Sequence, residues 1–275
     1  MYKNIYNILI TCLIIITIYL IYDNYNDKTL ELRNHYKPKL IKFITTKLND
    51  SNKKLFLVPF FELGDNIVMN GAVRYYCTIY NKVVLVCKEM YYDQISYMYQ
   101  DLDNLLLYKI PTLYSNQYLQ YYIPKDKYIN ELFKYYNIEY FHIVDNYLNY
   151  DQLINYHYTI RTYRALNLNI DIGYKYFKIN RDLEKEKEIY NKLINIIGEK
   201  YVIIIDDEKR KFRINSKYLN NINYPIFKLS MNSKNKIREL DLIKDPYIFN
   251  YITILENAQK ILSIDSSIPW LCDYA

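Results

Sequence analysis

From Lys54 onward, short uninterrupted apolar runs alternate with stretches in which apolar residues recur every three or four positions. The runs KLFLVPF (54–60), VVLVC (83–87), LLLYKI (105–110) and a shorter one at 140–144 predict strands. Helical spacing fills the gaps at 66–80, 91–99, 116–122 and 127–136. This βαβα order predicts a mostly parallel, doubly wound sheet with helices on both faces. In INRDLEKEKEIYNKLINIIGEK, the residues Ile189, Leu193 and Ile196 or Ile197 fall on one side of a long amphipathic helix, whose charges form a solvated face. The alternation then resumes with strands at 201–205, 225–229 and 261–264 and a helix at 247–258. A boundary between two α/β units is expected near 173–180.

The first part of the chain has a different texture. Ile5 to Ile21 is apolar apart from Asn7 and two threonines. At about 1.5 Å per helical residue such a run just spans a bilayer core. No small-residue cleavage site follows, since Tyr22, Asp23, Asn24 and Tyr25 come next, so the expectation is an uncleaved anchor over 1–22 and a charged stem over 23–52. That makes a single-pass membrane protein. Its orientation is left open, because Lys3 favours one side and Lys28, Arg33, Lys37, Lys39 and Lys42 the other. The triplet Asn49-Asp50-Ser51 would be a glycan acceptor only in a lumen.

Composition changes the weight of some of these signals. With 36 tyrosines and only 4 glycines, the chain has the composition that AT-rich codons supply. Its formal charge of +6 then owes much to the same bias, and no nucleic-acid partner is expected. Each glycine gains weight instead, and FFELGDNIVMNGAVRYY holds two of them, Gly64 and Gly71. Cys12, Cys77, Cys87 and Cys272 form no CxxC and no metal-ligand spacing. The absence of HExxH, GxSxG and GxxxxGK[ST] leaves zincin, serine-hydrolase and P-loop chemistry without support.

In open parallel sheets ligands bind beyond the carboxyl ends of strands, so position relative to a strand is the first filter. Three stretches pass. In FFELGDN a strand enters a turn where Gly64 allows a positive φ or close ligand approach and Asp65 or Asn66 can cap a helix. Asn70, Gly71 and Arg74 fall on the helix face opposite Met69, Ala72, Val73 and Tyr76. In ILSIDSSIPW a strand feeds Asp265, Ser266 and Ser267 into a helix start that suits an anion. In DDEKRKFRIN, after YVIII, Lys209 and Arg213 suit a diphosphate, although a solvated charged loop fits as well. Asp101-Leu102-Asp103 matches a metal-binding DxD pattern but lies between a helix and the start of a strand, at the wrong edge of the sheet.

Together, ELGDNIVMNGAVRYY, VVLVCKEMYYDQISYMYQDLDN, YFKINRDLEKEKEIYNKL, the DDEKRKFRIN loop and ENAQKILSIDSS resemble the heptosyltransferase-like glycosyltransferases of GT-B fold, especially their divergent versions in large DNA viruses and phages. The resemblance covers roughly residues 54–268. It implies two Rossmann-like doubly wound domains: an acceptor-side domain over 53–175 and a small or incomplete donor-side domain over 176–275. It implies Asp65 as the base that deprotonates an acceptor hydroxyl, with Glu62 in reserve, and Gly64, Asn66, Asn70 and Arg74 around the acceptor. Asp265, Ser266, Ser267, Lys209 and Arg213 would hold the departing diphosphate of a nucleotide-sugar donor, in an inverting displacement without a metal or other cofactor. The partners implied are that donor, a glycan or other hydroxyl acceptor, and the membrane through residues 5–21. The competing expectation is a non-catalytic, membrane-tethered glycan-binding or virion-interaction protein derived from such an enzyme.

Overall fold

The computed structural model describes residues 14, 17, 34–59, 62–111, 123–143, 158–205, 214–220, 222–228, 247–263 and 271. The apolar run at 5–21 lies outside these apart from Ile14 and Thr17, as does the helix expected at 116–122. Among the described residues no helix is long and apolar enough to cross a membrane.

The chain is a mixed α/β protein with parallel sheets. The first sheet holds β1 (Lys54–Val58), β2 (Lys82–Lys88), β3 (Leu105–Ile110) and β4 (Ile138–His142) in the order β3-β2-β1-β4, all parallel. Its strands are apolar on both faces because both faces are covered. Leu55, Leu57, Val83, Leu85 and Cys87 pack beneath α2 (Leu63–Val68), α3 (Asn70–Ile79) and α4 (Tyr92–Met98). Phe56, Val58, Val84 and Val86 turn to the opposite face.

That second face corrects the expectation of a stem. Residues 34–47 form a helix, α1, whose Leu40 and Ile44, followed by Leu48, are fully buried against the sheet. Beside it lies α5 (Lys127–Tyr135), and Phe43 of α1 meets Tyr108 while Phe133 of α5 meets Phe56. At the amino ends of the strands, Lys54 is fully buried. Its Nζ donates to the carbonyls of Asp50, Asn52 and Tyr136 at 2.6, 2.6 and 3.0 Å and pairs with the Asp50 carboxylate at 2.8 Å.

Two further helices, α6 (Tyr158–Ala165) and α7 (Ile170–Tyr176), answer why a glycine stands at position 71. A Cβ on Gly71 would sit 2.4 Å from the Gly173 carbonyl oxygen and 2.8 Å from its Cα, so α3 and α7 cross backbone to backbone. A Cβ on Gly173 would in turn meet the Tyr163 ring at 2.7 Å. The Tyr163 hydroxyl donates to the Val68 carbonyl at 3.0 Å, closing the stack.

The chain then passes through 177–182 into α8 (Leu183–Ile197) and a second sheet of β5 (Val202–Ile205), β6 (Ile226–Lys228) and β7 (Lys260–Ser263), parallel and in the order β6-β5-β7. A short 3-10 turn, Ile248–Tyr251, leads into α9 (Ile252–Glu256). Ile203 and Ile205 of β5, Ile189 and Leu193 of α8, and Phe249 join the same apolar cluster that lies under α2, α3 and α4. Tyr97 of α4 stacks on Tyr247 and Phe249 at 5.1 and 6.0 Å. The two sheets therefore share one continuous core.

Candidate functional site

In the order β3-β2-β1-β4 the chain first builds outward from β1 on one side and later returns to its other side. Such a reversal marks the carboxyl end of β1 as the place where open parallel sheets bind their ligands. Glu62 stands at this end as the residue that starts α2, with extended backbone (φ −82°, ψ 155°). Asp65 occupies the third position of the helix, and its Oδ2 accepts the Glu62 N–H at 3.1 Å, half of a capping box. The turn does not need the positive φ expected at Gly64. That residue is inside the first turn of α2, and among the described residues Gly198 is the glycine with positive φ.

Both oxygens of the Glu62 carboxylate have donors. The Lys88 ammonium, from the end of β2, donates to Oε1 and the Tyr91 hydroxyl donates to Oε2 at 2.7 Å. Burial, and then the Glu62 carboxylate, hold the Tyr91 phenol well above its usual pKa, so it stays a donor. Lys88 is almost buried while the Glu62 side chain is 56% exposed, which puts the anion at the mouth and the cation behind it. Behind Glu62, Asn66 is buried. Its amide nitrogen donates to the Glu62 carbonyl at 2.9 Å and its Oδ1 has no partner. Lys88 and Tyr91 follow no residue-type motif. The filter by position after a strand would have found Lys88 had it been applied to β2.

Asn70 and Arg74 do not join this group. The Asn70 side chain forms a reciprocal pair with the backbone of Lys178, donating at 3.1 Å and accepting at 2.9 Å. Arg74 donates from Nε to the Lys178 carbonyl at 2.9 Å, from Nη2 to the Met98 carbonyl, and from both terminal nitrogens to Asp101. One of these bonds reaches the segment that links the two sheets, and the others tie Arg74 to the end of α4 and the turn after it. Asp101, the first acid of the DxD pattern, is the centre of this lock and also accepts from Lys178 and Asn180 at 2.8 and 2.7 Å. Burial works against its charge, but the hydrogen bonds from Arg74, Lys178 and Asn180 outweigh it and hold the Asp101 carboxyl well below the usual range. Among the described residues no cluster of His, Cys, Asp and Glu could hold a metal ion. Cys77 and Cys87 are free thiols, each pushed up to about 12 by burial.

Lys209, Arg213, Asp265, Ser266 and Ser267 lie outside the described residues. The strands that precede them are described. β5 ends at Ile205 and β7 at Ser263, and these two residues are partners in the parallel ladder. The order β6-β5-β7 reverses about β5 as the first sheet reverses about β1. A cavity of about 330 Å³ lies elsewhere, between Phe43 of α1, Tyr92, Ser96 and Tyr99, and the Leu105–Leu107 edge of the first sheet. It touches none of the site residues.

The fold and this cluster define an α/β protein with two parallel, Rossmann-like sheets and a carboxylate–lysine–tyrosine group at the mouth of the first. No family model, curated protein or solved structure matches the chain.

Proposed function

We propose that the protein is a membrane-anchored glycosyltransferase of GT-B type, moving a sugar from a nucleotide-sugar donor to a hydroxyl acceptor by inverting displacement. The observation that carries this reading is the pair of strand-order reversals: each sheet reverses its order about its first strand, and acidic side chains stand at the carboxyl end of β1. In this reading the sheet of β1–β4 receives the acceptor, and the sheet of β5–β7 receives the donor through the segments after Ile205 and Ser263. Asp65 takes the acceptor proton as the sugar carbon is attacked. Glu62, steadied by Lys88 and Tyr91, orients the acceptor hydroxyls. Residues 5–21 anchor the chain in the membrane.

The test uses the full chain in mild detergent with a panel of nucleotide sugars, following donor-dependent thermal shift and nucleoside diphosphate release. A segment starting near residue 50 would be unsuitable, because it removes Leu40, Ile44 and Leu48 from the core. Asp65→Asn keeps an oxygen for the Glu62 N–H and loses the base. It is expected to bind the donor as the wild type does while turnover falls at least about a hundredfold. Turnover by Asp65→Asn equal to wild type would remove the base assignment, and no donor binding by either protein would remove the enzyme. The competing reading is a non-catalytic glycan-binding protein. It is favoured by one observation, that both Glu62 oxygens already have donors within the chain.

A further inference from the structure

The two helices that cover the outer face of the first sheet carry an unusual surface. α1 and α5 lie side by side in one layer, bridged by the Lys37–Asp126 pair at 2.8 Å, with their apolar residues turned to the same sheet face. Outward from this layer point Lys39 and Lys42 of α1, Lys125 just before α5, and Lys127 and Lys134 within it, all exposed. Glu131 is the one exposed acid among the outward residues of 34–47 and 123–135. Five lysines against one glutamate give this face a local excess of positive charge. Among the described residues none of the five is in an ion pair; the same is true of Lys109, Lys175, Lys187, Lys200, Lys217 and Lys260, but those are scattered over separate elements and not gathered on one face. Two large aromatic side chains stand among the lysines: Tyr128 is 49% exposed and Tyr135 is 79% exposed.

We infer that this α1/α5 face docks on an anionic lipid surface, its lysines on the headgroup phosphates and carboxylates and its two tyrosines at the level of the glycerol backbone. Lysines with long aliphatic stems and tyrosines with a polar tip suit the boundary between water and hydrocarbon. Nucleic acid would be met by the same charge. The placement of the face favours lipid, since α1 is the described element next in the chain to the apolar run at 5–21, with residues 22–33 between them. The inference rests on the proposed anchoring for its geometry and on the lysines alone for its preference for anionic lipid. Docked in this way, the layer faces the membrane and the α2–α4 layer, on the other side of the sheet, faces away from it.

The test is co-sedimentation of the full chain with vesicles of phosphatidylcholine alone and of phosphatidylcholine with phosphatidylserine. The comparison is a variant carrying Lys39→Gln, Lys42→Gln, Lys127→Gln and Lys134→Gln, whose exposed positions leave its thermal midpoint unchanged. At roughly fivefold per lysine near an anionic surface, the variant is expected to lose on the order of a few hundredfold of the phosphatidylserine-dependent binding. The wild-type excess should also shrink as salt is raised. Binding to neutral vesicles reads the apolar run separately and is expected to be the same for both proteins. Where that run alone captures both proteins completely, amide hydrogen exchange takes over as the readout, with protection of 34–47 and 127–135 in phosphatidylserine vesicles expected for the wild type only. Equal binding and equal protection of the two proteins would overturn the inference. So would tighter binding to a polynucleotide than to vesicles at matched phosphate.

Discussion

Replacing Gly71 by alanine tests the crossing that holds the first sheet to the linker. In a freely exposed helix the change would stabilise by about 1 kcal/mol, since alanine is the better helix former. Here the new Cβ would lie 2.4 Å from the Gly173 carbonyl oxygen and 2.8 Å from its Cα. Ordinary contacts between such atoms are nearer 3.5 Å, so the helices would have to separate by about 1 Å. Backbone is the obstacle, and no rotamer change relieves it. Forced overpacking of this kind costs about 1–3 kcal/mol. Separation would also stretch the reciprocal Asn70–Lys178 pair, now at 3.1 and 2.9 Å, whose loss adds about 1 kcal/mol per bond. After the propensity gain is subtracted, Gly71→Ala is expected to destabilise by about 2–4 kcal/mol. Urea unfolding of the full chain in mild detergent, read by the midpoint at constant slope, measures it. Gly198→Ala is the internal comparison. Nothing lies within 4 Å of its Cβ position and only its backbone conformation (φ +86°, ψ 170°) opposes the change, so about 1–3 kcal/mol is expected there. A Gly71→Ala protein as stable as wild type, or more stable, would refute the close crossing of α3 and α7.

Asp101→Asn tests the lock around the linker through pH. The folded pKa of Asp101 lies below its unfolded value, so its contribution is complete above about pH 5, shrinks as pH falls through the unfolded value near 4, and is lost below the folded value. The variant should therefore show a flatter loss of stability in acid. At neutral pH it should lose about 2 kcal/mol, less than for a fully buried pair because Asp101 is 27% exposed. An unchanged acid limb would argue against the role given to Asp101. Lys54→Met removes the cation that serves three carbonyls and Asp50 and should lower stability by about 3 kcal/mol in the same urea assay; a loss under about 1 kcal/mol would show that water replaces it.

The buried strands were legible because parallel strands covered on both faces read as apolar runs, and β1, β2, β3 and β5 stand within a residue or two of where those runs fall. β4 begins two residues before its expected start. α1 was hidden in a lysine-rich stretch. Its signal, Leu40, Ile44 and Leu48 at intervals of four, is a narrow stripe that charge obscures. The helix expected over 66–80 is divided at Met69 into α2 and α3, and no periodicity announces such a break. At the site, Glu62 and Asp65 were legible from their place after a strand. Asn70 and Arg74, expected around an acceptor, have their side chains bonded within the chain. Asn70 pairs with Lys178, 108 residues away, and Arg74 reaches Lys178 as well as Asp101; local pattern carries no information about which segment returns to a given face.

The crossing of α3 and α7 also bears on how this sequence can change. A chain with four glycines that sets two of them against each other has half of that residue type tied to one place. Glycine codons begin with two guanines, and a composition rich in Tyr, Asn, Ile and Lys shows the opposite pull at most positions. Gly71 and Gly173 are thus positions where drift meets a barrier that single steps do not cross. Any first replacement meets the other helix or the Tyr163 ring. Descendants of this chain should keep both glycines, or replace them together with a wider helix spacing and a smaller residue at position 163.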